Sequence, residues 1–124
     1  MNVLVIALDA ASPLDLDDAE VFVVAPALNS RLRHWLSDDG GARRVAGERL
    51  AACLDRLERT GLHATGRVGD ADPLQAVADT LPTFAADEIV IAGDTSFAER
   101  LAARARARFG LPVLRGDEML ARAA

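Results

Sequence analysis

Short valine-rich apolar runs alternate with helical patterns along this chain, and this alternation restricts its possible folds more than any other feature. Asn2–Leu8 and Glu20–Ala25 are mainly apolar runs of the kind that forms strands covered on both faces of a sheet. Between Ala42 and Thr60 apolar residues recur every three or four positions, which predicts one buried face of a helix that Gly61 closes. Strands that alternate with helices predict parallel βαβ units in a single sheet.

The rest of the chain continues this alternation. Asp72 and Pro73 predict an N-cap and a first helical turn, and Pro82 predicts the end of that helix. The other predicted elements are a weaker third strand over Leu62–Val68, a fourth strand over Glu88–Ala92, a helix over Ser96–Phe109, a fifth strand over Leu111–Leu114 and a short tail helix over Asp117–Ala123. The predicted fold class is α/β, with one open, mainly parallel five-stranded sheet and helices on both faces.

Composition limits the class of protein. The 124 residues predict a single domain, 1–124, and Cys53, the only cysteine, excludes an intramolecular disulfide and a cysteine-based zinc site. The net charge of −5 argues against a partner that is duplex nucleic acid. No apolar run approaches the roughly 20 residues of a membrane span, and the start lacks the basic region of a signal peptide. We therefore expect a cytoplasmic protein that does not bind membranes.

The residues that catalysis would need are not grouped in this sequence. All 14 basic residues are arginine, so a Walker-type nucleotide loop and a response-regulator receiver both lack their lysine. A phosphatase that uses Asp9 as nucleophile would want a second aspartate two residues later, where Ala11 stands. His34 and His63 have no serine or cysteine elbow nearby. We predict no catalytic residues and no metal site, so the chain is not expected to be an enzyme.

Three strand ends resemble those of the universal stress protein family. They read "VIALDAAS", "VGDADPLQAV" and "VIAGD", and the stretch "VVAPALNSRLRHWLSDDGGARR" resembles small single-domain members of actinobacterial type. The resemblance spans nearly the whole chain. It implies a sheet of order 3-2-1-4-5, dimerisation and, in one branch of the family, ATP binding.

The sequence departs from the ATP-binding branch after the fourth strand. That branch carries a Gly-x2-Gly-x9-Gly-Ser/Thr pattern, whose glycines bring backbone N–H groups against the phosphates. Here Gly93 is followed by Asp94, Thr95, Ser96 and Phe97, and the next glycine is Gly110. We expect no cofactor, and binding of ATP or AMP is disfavoured. Alternatively, Asp94, Thr95 or Ser96 simply caps the following helix.

Two places are candidate binding sites. In a sheet of order 3-2-1-4-5, ligands bind beyond the carboxyl ends of strands one and four, where the strand order reverses. Asp9 lies at one lip of that crevice, and Gly93, Asp94, Thr95 and Ser96 form the other; Asp9 could instead close an Asx-turn or cap a helix. A weaker candidate for an anion site consists of Asn29, Ser30, Arg31 and Arg33, whose alternative is a solvated loop.

Two further features have structural explanations. Cys53 lies on the apolar face of its predicted helix and is expected to be inert packing. Arg100, Arg104 and Arg108 recur at every fourth position, which is typical of a solvated helix face and, as a minority alternative, of a docking patch.

The second departure from the family is a missing first helix. Only residues 9–19 separate the first two strands, which leaves room for a turn of helix at best. Both faces of the first strand are apolar, so the face that this helix would cover must be covered in another way. The tail near Met119 and Leu120 could fold back on it, or a second subunit could cover it. We therefore expect a homodimer or a higher homo-oligomer.

These observations predict a universal stress protein-like binding or association module in stress response, without chemistry of its own. The alternative is a nucleotide or small-metabolite sensor that binds at the switch of strand order through Asp9 and the Gly93–Ser96 turn. A weaker alternative is an enzyme whose site a partner subunit completes.

Overall fold

A computed structural model gives the structure of residues 1–10, 12, 14–28, 39–93, 95–116 and 118. Within these residues, five strands form one all-parallel sheet of order β3-β2-β1-β4-β5, as predicted. The elements are β1 Asn2–Ala7, β2 Glu20–Pro26, α1 Asp39–Arg59, β3 Ala64–Gly69, α2 Pro73–Thr80, β4 Glu88–Ala92, α3 Ser96–Phe109 and β5 Val113–Arg115.

The predicted bounds of the strands and helices agree with the structure to within three residues. Those of β4 and α3 agree residue for residue. β2 continues one residue further than predicted because Pro26 still pairs with Gly69 of β3. α1 begins at Asp39, three residues before the predicted start. The predicted tail helix, Asp117–Ala123, lies outside the described residues except for Glu118.

The helix ends follow the predicted capping chemistry. The Asp72 carboxylate accepts a hydrogen bond from the Leu74 N–H at 3.0 Å, and Pro73 occupies the first turn of α2. At the end of α1 the N–H groups of Gly61 and Leu62 donate to the carbonyls of Glu58 and Leu57. This is the Schellman pattern, and it needs the left-handed φ of 85° that Gly61 adopts.

The sheet has an apolar core on each face. Side chains of β1 alternate between the two cores: Val3, Val5 and Ala7 pack on the α1 side, while Leu4 and Ile6 pack against α2 and α3. The α1 side also contains Ala42, Ala46, Cys53 and Leu57, which form the apolar stripe of that helix.

The connection from β1 to β2 replaces the missing helix. We call residues 9–19 the strap; its described part lies in neither helix nor strand. Ser12 is buried, Leu16 and Ala19 are buried in the α1-side core and Leu14 packs against it, whereas Asp17 and Asp18 are exposed. Extended chain advances about 3.3 Å per residue, so eleven residues suffice to run back along a strand.

The strap therefore packs on the sheet face that was expected to need the tail or a second subunit as its cover. Val3, Val5 and Ala7, which line that face, are at most 1% exposed in a single chain. The predicted covers were the tail and a second subunit, and the connection between β1 and β2 was not among them. An apolar residue at every second position of an extended segment covers a sheet face as a helix stripe does.

Candidate functional site

The predicted crevice lies where β1 and β4 end side by side. Beyond the last paired residues, the N–H groups of Leu8 and Asp9 both donate to the carbonyl oxygen of Ala92, each at 3.1 Å. The ends of β1 and β4 thus remain hydrogen-bonded to each other at the place where an open α/β sheet usually has a ligand-binding crevice. These two amides are occupied by the protein itself.

The Asp9 carboxylate binds within its own turn. Its Oδ1 accepts a hydrogen bond from the Ser12 N–H and its Oδ2 accepts one from the Ser12 hydroxyl, both at 2.8 Å. Ser12 is 8% exposed, so this pairing satisfies a nearly buried hydroxyl. Asp9 therefore forms the turn at the start of the strap, which fits the alternative that Asp9 closes an Asx-turn. A ligand that used this carboxylate would have to share it with Ser12 or displace Ser12.

The other lip of the crevice is also used structurally. A Cβ added at Gly93 would lie 3.3 Å from Cβ and Cδ1 of Leu8, so this glycine lets the end of β4 approach β1 closely. The Thr95 hydroxyl caps α3 by accepting a hydrogen bond from the Ala98 N–H at 3.3 Å, which confirms the capping alternative for Thr95. Ser96 is the first residue of α3 and is exposed. Asp94 lies outside the described residues.

The second predicted site cannot be placed. Asn29, Ser30, Arg31 and Arg33 all lie outside the described residues. Anion binding by these residues stays a prediction.

Two arginines of α1 are the polar residues near this edge that sequence reasoning missed. Nη1 of Arg49 donates to the carbonyls of Ala7 and Pro26, each at 3.1 Å, where β1 and β2 end. Burial lowers the pKa of the Arg49 guanidinium, and the nearby Asp9 carboxylate opposes that shift. The signal was present in the sequence, because Arg49 and Arg56 are seven residues apart and border the apolar stripe of α1.

Arg56 holds the strap against α1. Its Nη1 donates to the carbonyl of Ala10 and, at 3.1 Å, to that of Ser12. An extended strap has no internal hydrogen-bond ladder, so these carbonyls need partners from elsewhere. Cys53 lies one helical turn away and is buried, as predicted for a packing residue. Burial raises the pKa of its thiol, and the charge of Arg56 opposes the shift.

A cavity of about 180 Å³ lies at the opposite edge of the sheet from the predicted crevice. It is lined by residues 14–18 of the strap and by Thr60, Gly61 and Leu62 at the end of α1. A smaller cavity of about 50 Å³ lies beside Cys53 and Arg56. No cluster of histidine, cysteine or carboxylate side chains that could hold a metal occurs in the described part of the chain.

Comparisons of the chain with protein-family models, with curated proteins and with solved structures found no match. Among the described residues, no helix has the length and apolar character needed to cross a membrane. The resemblance to universal stress proteins stays a prediction from the motifs quoted above.

Removal of the Asp9–Ser12 pair is expected to lower stability. Asp9→Ala and Ser12→Ala should each cost about 1–2 kcal/mol of unfolding free energy, because each leaves a polar partner without its hydrogen bond. Urea denaturation of both single variants and the double variant forms a mutant cycle, whose coupling energy should be about 0.5–2 kcal/mol. Asp17→Ala is the control, since Asp17 is an exposed strap residue. A zero coupling energy would contradict the structural role.

Proposed function

We propose that this chain is a universal stress protein-like binding or association module that acts in stress response without catalysis and without ATP. The observation that carries the proposal is the use of the strand-end residues by the fold itself. Asp9 binds Ser12, Thr95 caps α3, and the Leu8 and Asp9 amides bind Ala92.

Phosphate binding at a strand end needs free N–H groups and space for the backbone to approach the ligand. Gly93 supplies no such space, because Leu8 and Ala98 lie against it. Among the first N–H groups of α3, that of Ala98 already donates to the Thr95 hydroxyl. These contacts support a module that acts through its surface.

The proposal includes a homodimer or higher homo-oligomer in the cytoplasm. The family resemblance supports self-association. The sheet face beside the missing helix does not support self-association, because the strap and α1 contribute to a core that buries that face in a single chain.

The first test is a calorimetric titration of the purified chain with ATP and with AMP. We expect no saturable binding below about 1 mM of either nucleotide, which corresponds to less than roughly 4 kcal/mol of binding free energy. Native mass spectrometry of untreated protein should show the mass of the polypeptide without a nucleotide. A low-micromolar dissociation constant for ATP would contradict the proposal.

The second candidate function is a sensor of an anionic small metabolite at the carboxyl ends of β1 and β2. The half-buried Arg49 guanidinium favours it, because only Nη1 among its nitrogens is bonded in the described structure. Such a ligand would bind Arg49 and take the place of the Asp9–Ser12 pair. A small anion that copurifies with the wild type and is lost in Arg49→Met would favour this candidate.

A further inference from the structure

The outer face of α3 carries a row of arginines that has no carboxylate partner among the described residues. Arg100, Arg104 and Arg108 are exposed, and none forms an ion pair with a described residue. Arg108 lies over the ring of Phe109, with 5.3 Å between its Cζ and the ring centroid. The chain has 19 acidic residues for 14 arginines, and four other described arginines form ion pairs, whereas the exposed Arg43 and Arg67, like the row, form none to any residue that the structure describes. The paired arginines are Arg44, Arg59, Arg106 and Arg115.

The spacing of the row makes it a single basic surface. Residues four apart are neighbours on a helix surface, with about 5–6 Å between their Cβ atoms, so the three arginines lie on one face of α3. Like charges at this spacing destabilise a helix by about 0.2–0.5 kcal/mol per pair. The opposite face of α3 is buried through Ala98, Leu101, Ala102 and Ala105, so the row cannot turn inward. An anionic partner would remove the repulsion.

The strap presents the complementary surface. Asp15, Asp17 and Asp18 of the strap and the adjoining Glu20 place four carboxylates within six residues. Asp17, Asp18 and Glu20 are exposed, and Asp15 is half-buried. None of the four forms an ion pair within the described part of the chain. We call these four residues the acidic strap.

The two surfaces cannot meet within one molecule. α3 packs on the core that contains Leu4 and Ile6, whereas the strap packs on the core that contains Val3 and Val5. Alternate residues of β1 point to opposite faces of the sheet, so the arginine row and the acidic strap lie on opposite sides of the protein.

We propose that the arginine row of one copy docks on the acidic strap of a second copy. Three guanidinium groups then face four carboxylates, and Phe97, which is 40% exposed at the start of α3, adds apolar area beside the row. Because the surfaces lie on opposite sides, the contact is head-to-tail and does not close at a dimer by itself. The inference rests on the proposed association role and names its partner.

The test begins with light scattering of the wild type over a range of concentrations. At about 20 mM salt we expect the mean mass to rise with concentration beyond that of a monomer, and at about 500 mM salt we expect association at least tenfold weaker, since salt screens exposed charges. A wild type that stays monomeric at low salt at every concentration overturns the proposal.

Charge reversal identifies the contact. One variant carries Arg100→Glu and Arg104→Glu, and the other carries Asp15→Arg and Asp17→Arg; Asp18 is kept because its φ of 51° is strained for most residues. Each variant alone should be monomeric, while an equimolar mixture should associate, because each supplies the charge that the other has lost. Arg43→Glu, which reverses an exposed arginine on α1, is the control and should associate like the wild type.

Circular dichroism should show the same helix content in all variants, so that lost association is not lost folding. If either reversal variant associates like the wild type, or if the mixture stays monomeric, the proposal is wrong. If the protein then also does not bind ATP, the proposed association function stands, but its partner is not the acidic strap of a second copy. Micromolar ATP binding would instead overturn the proposed function, whatever the oligomeric state.

Discussion

Gly66→Ala is expected to be the most destabilising single substitution considered for this chain. Gly66 lies in β3 opposite Val23 of β2, and an added Cβ would lie 2.4 Å from the Val23 carbonyl oxygen and 2.8 Å from Cδ1 of Leu50. The Leu50 side chain can move, but the carbonyl belongs to the paired backbone of two strands. Relief of the clash would separate β3 from β2, at a cost of more than about 4 kcal/mol. That is a large share of the roughly 5–15 kcal/mol of stability of a typical domain.

Gly47→Ala is the matched control, because it adds the same methyl group to another interior glycine. Its Cβ would meet only Cγ2 of Val68, at 3.9 Å, and Gly47 lies in the middle of α1. Alanine in a helix interior is favoured over glycine by about 0.5–1 kcal/mol, so this variant should be more stable than the wild type. Urea denaturation followed by circular dichroism measures both. A Gly66→Ala variant with the wild-type midpoint would contradict the close approach of β3 to β2.

Leu16→Ala is expected to be the second most damaging change, at about 2–4 kcal/mol of unfolding free energy. Leu16 is 5% exposed and belongs to the core between the sheet and α1. Its truncation removes buried apolar surface and leaves a cavity that the strap can fill only partly, because Arg56 holds the carbonyls of Ala10 and Ser12 in place.

Two other substitutions test whether the loss comes from packing. Leu16→Met conserves volume and should cost less than about 1.5 kcal/mol. Asp15→Ala changes the neighbouring residue, which is not part of the apolar core, and should stay within about 0.5 kcal/mol of the wild type. The measurement is the urea midpoint of each variant, compared at an unchanged m value. A Leu16→Ala midpoint equal to that of the wild type would mean that the strap is not part of the core.

The sheet was predictable because its signals are local. β1, β2 and β4 are short, mainly apolar runs, and Pro73, Gly61 and Gly110 mark helix ends by backbone chemistry that does not depend on the rest of the fold. The order of the strands came from the family resemblance, and the structure confirms it.

The strap was not predictable in the same way. Ser12, Leu14 and Leu16 show the two-residue period of extended chain, but three positions around a proline are too few to identify an element. Its conformation depends on Arg56, a residue more than 40 positions away that supplies hydrogen bonds the strap cannot make to itself. The partner of Asp9 could not be predicted either, because the sequence does not distinguish a strand-end aspartate that binds a ligand from one that binds a serine.

The length of the strap also affects how the chain closes its sheet during folding. Asn2 pairs with Glu20, 18 residues later, whereas Val3 pairs with Glu88, 85 residues later. Loop-closure entropy grows with the logarithm of loop length, so the β1–β4 pairing costs about 1.4 kcal/mol more to close than the β1–β2 pairing. A full helix between the first two strands would have reduced that difference. In this protein the shortened connection makes β1–β2 the least costly closure among the described strand pairs, and it carries the strap residues Leu14 and Leu16 into place with it.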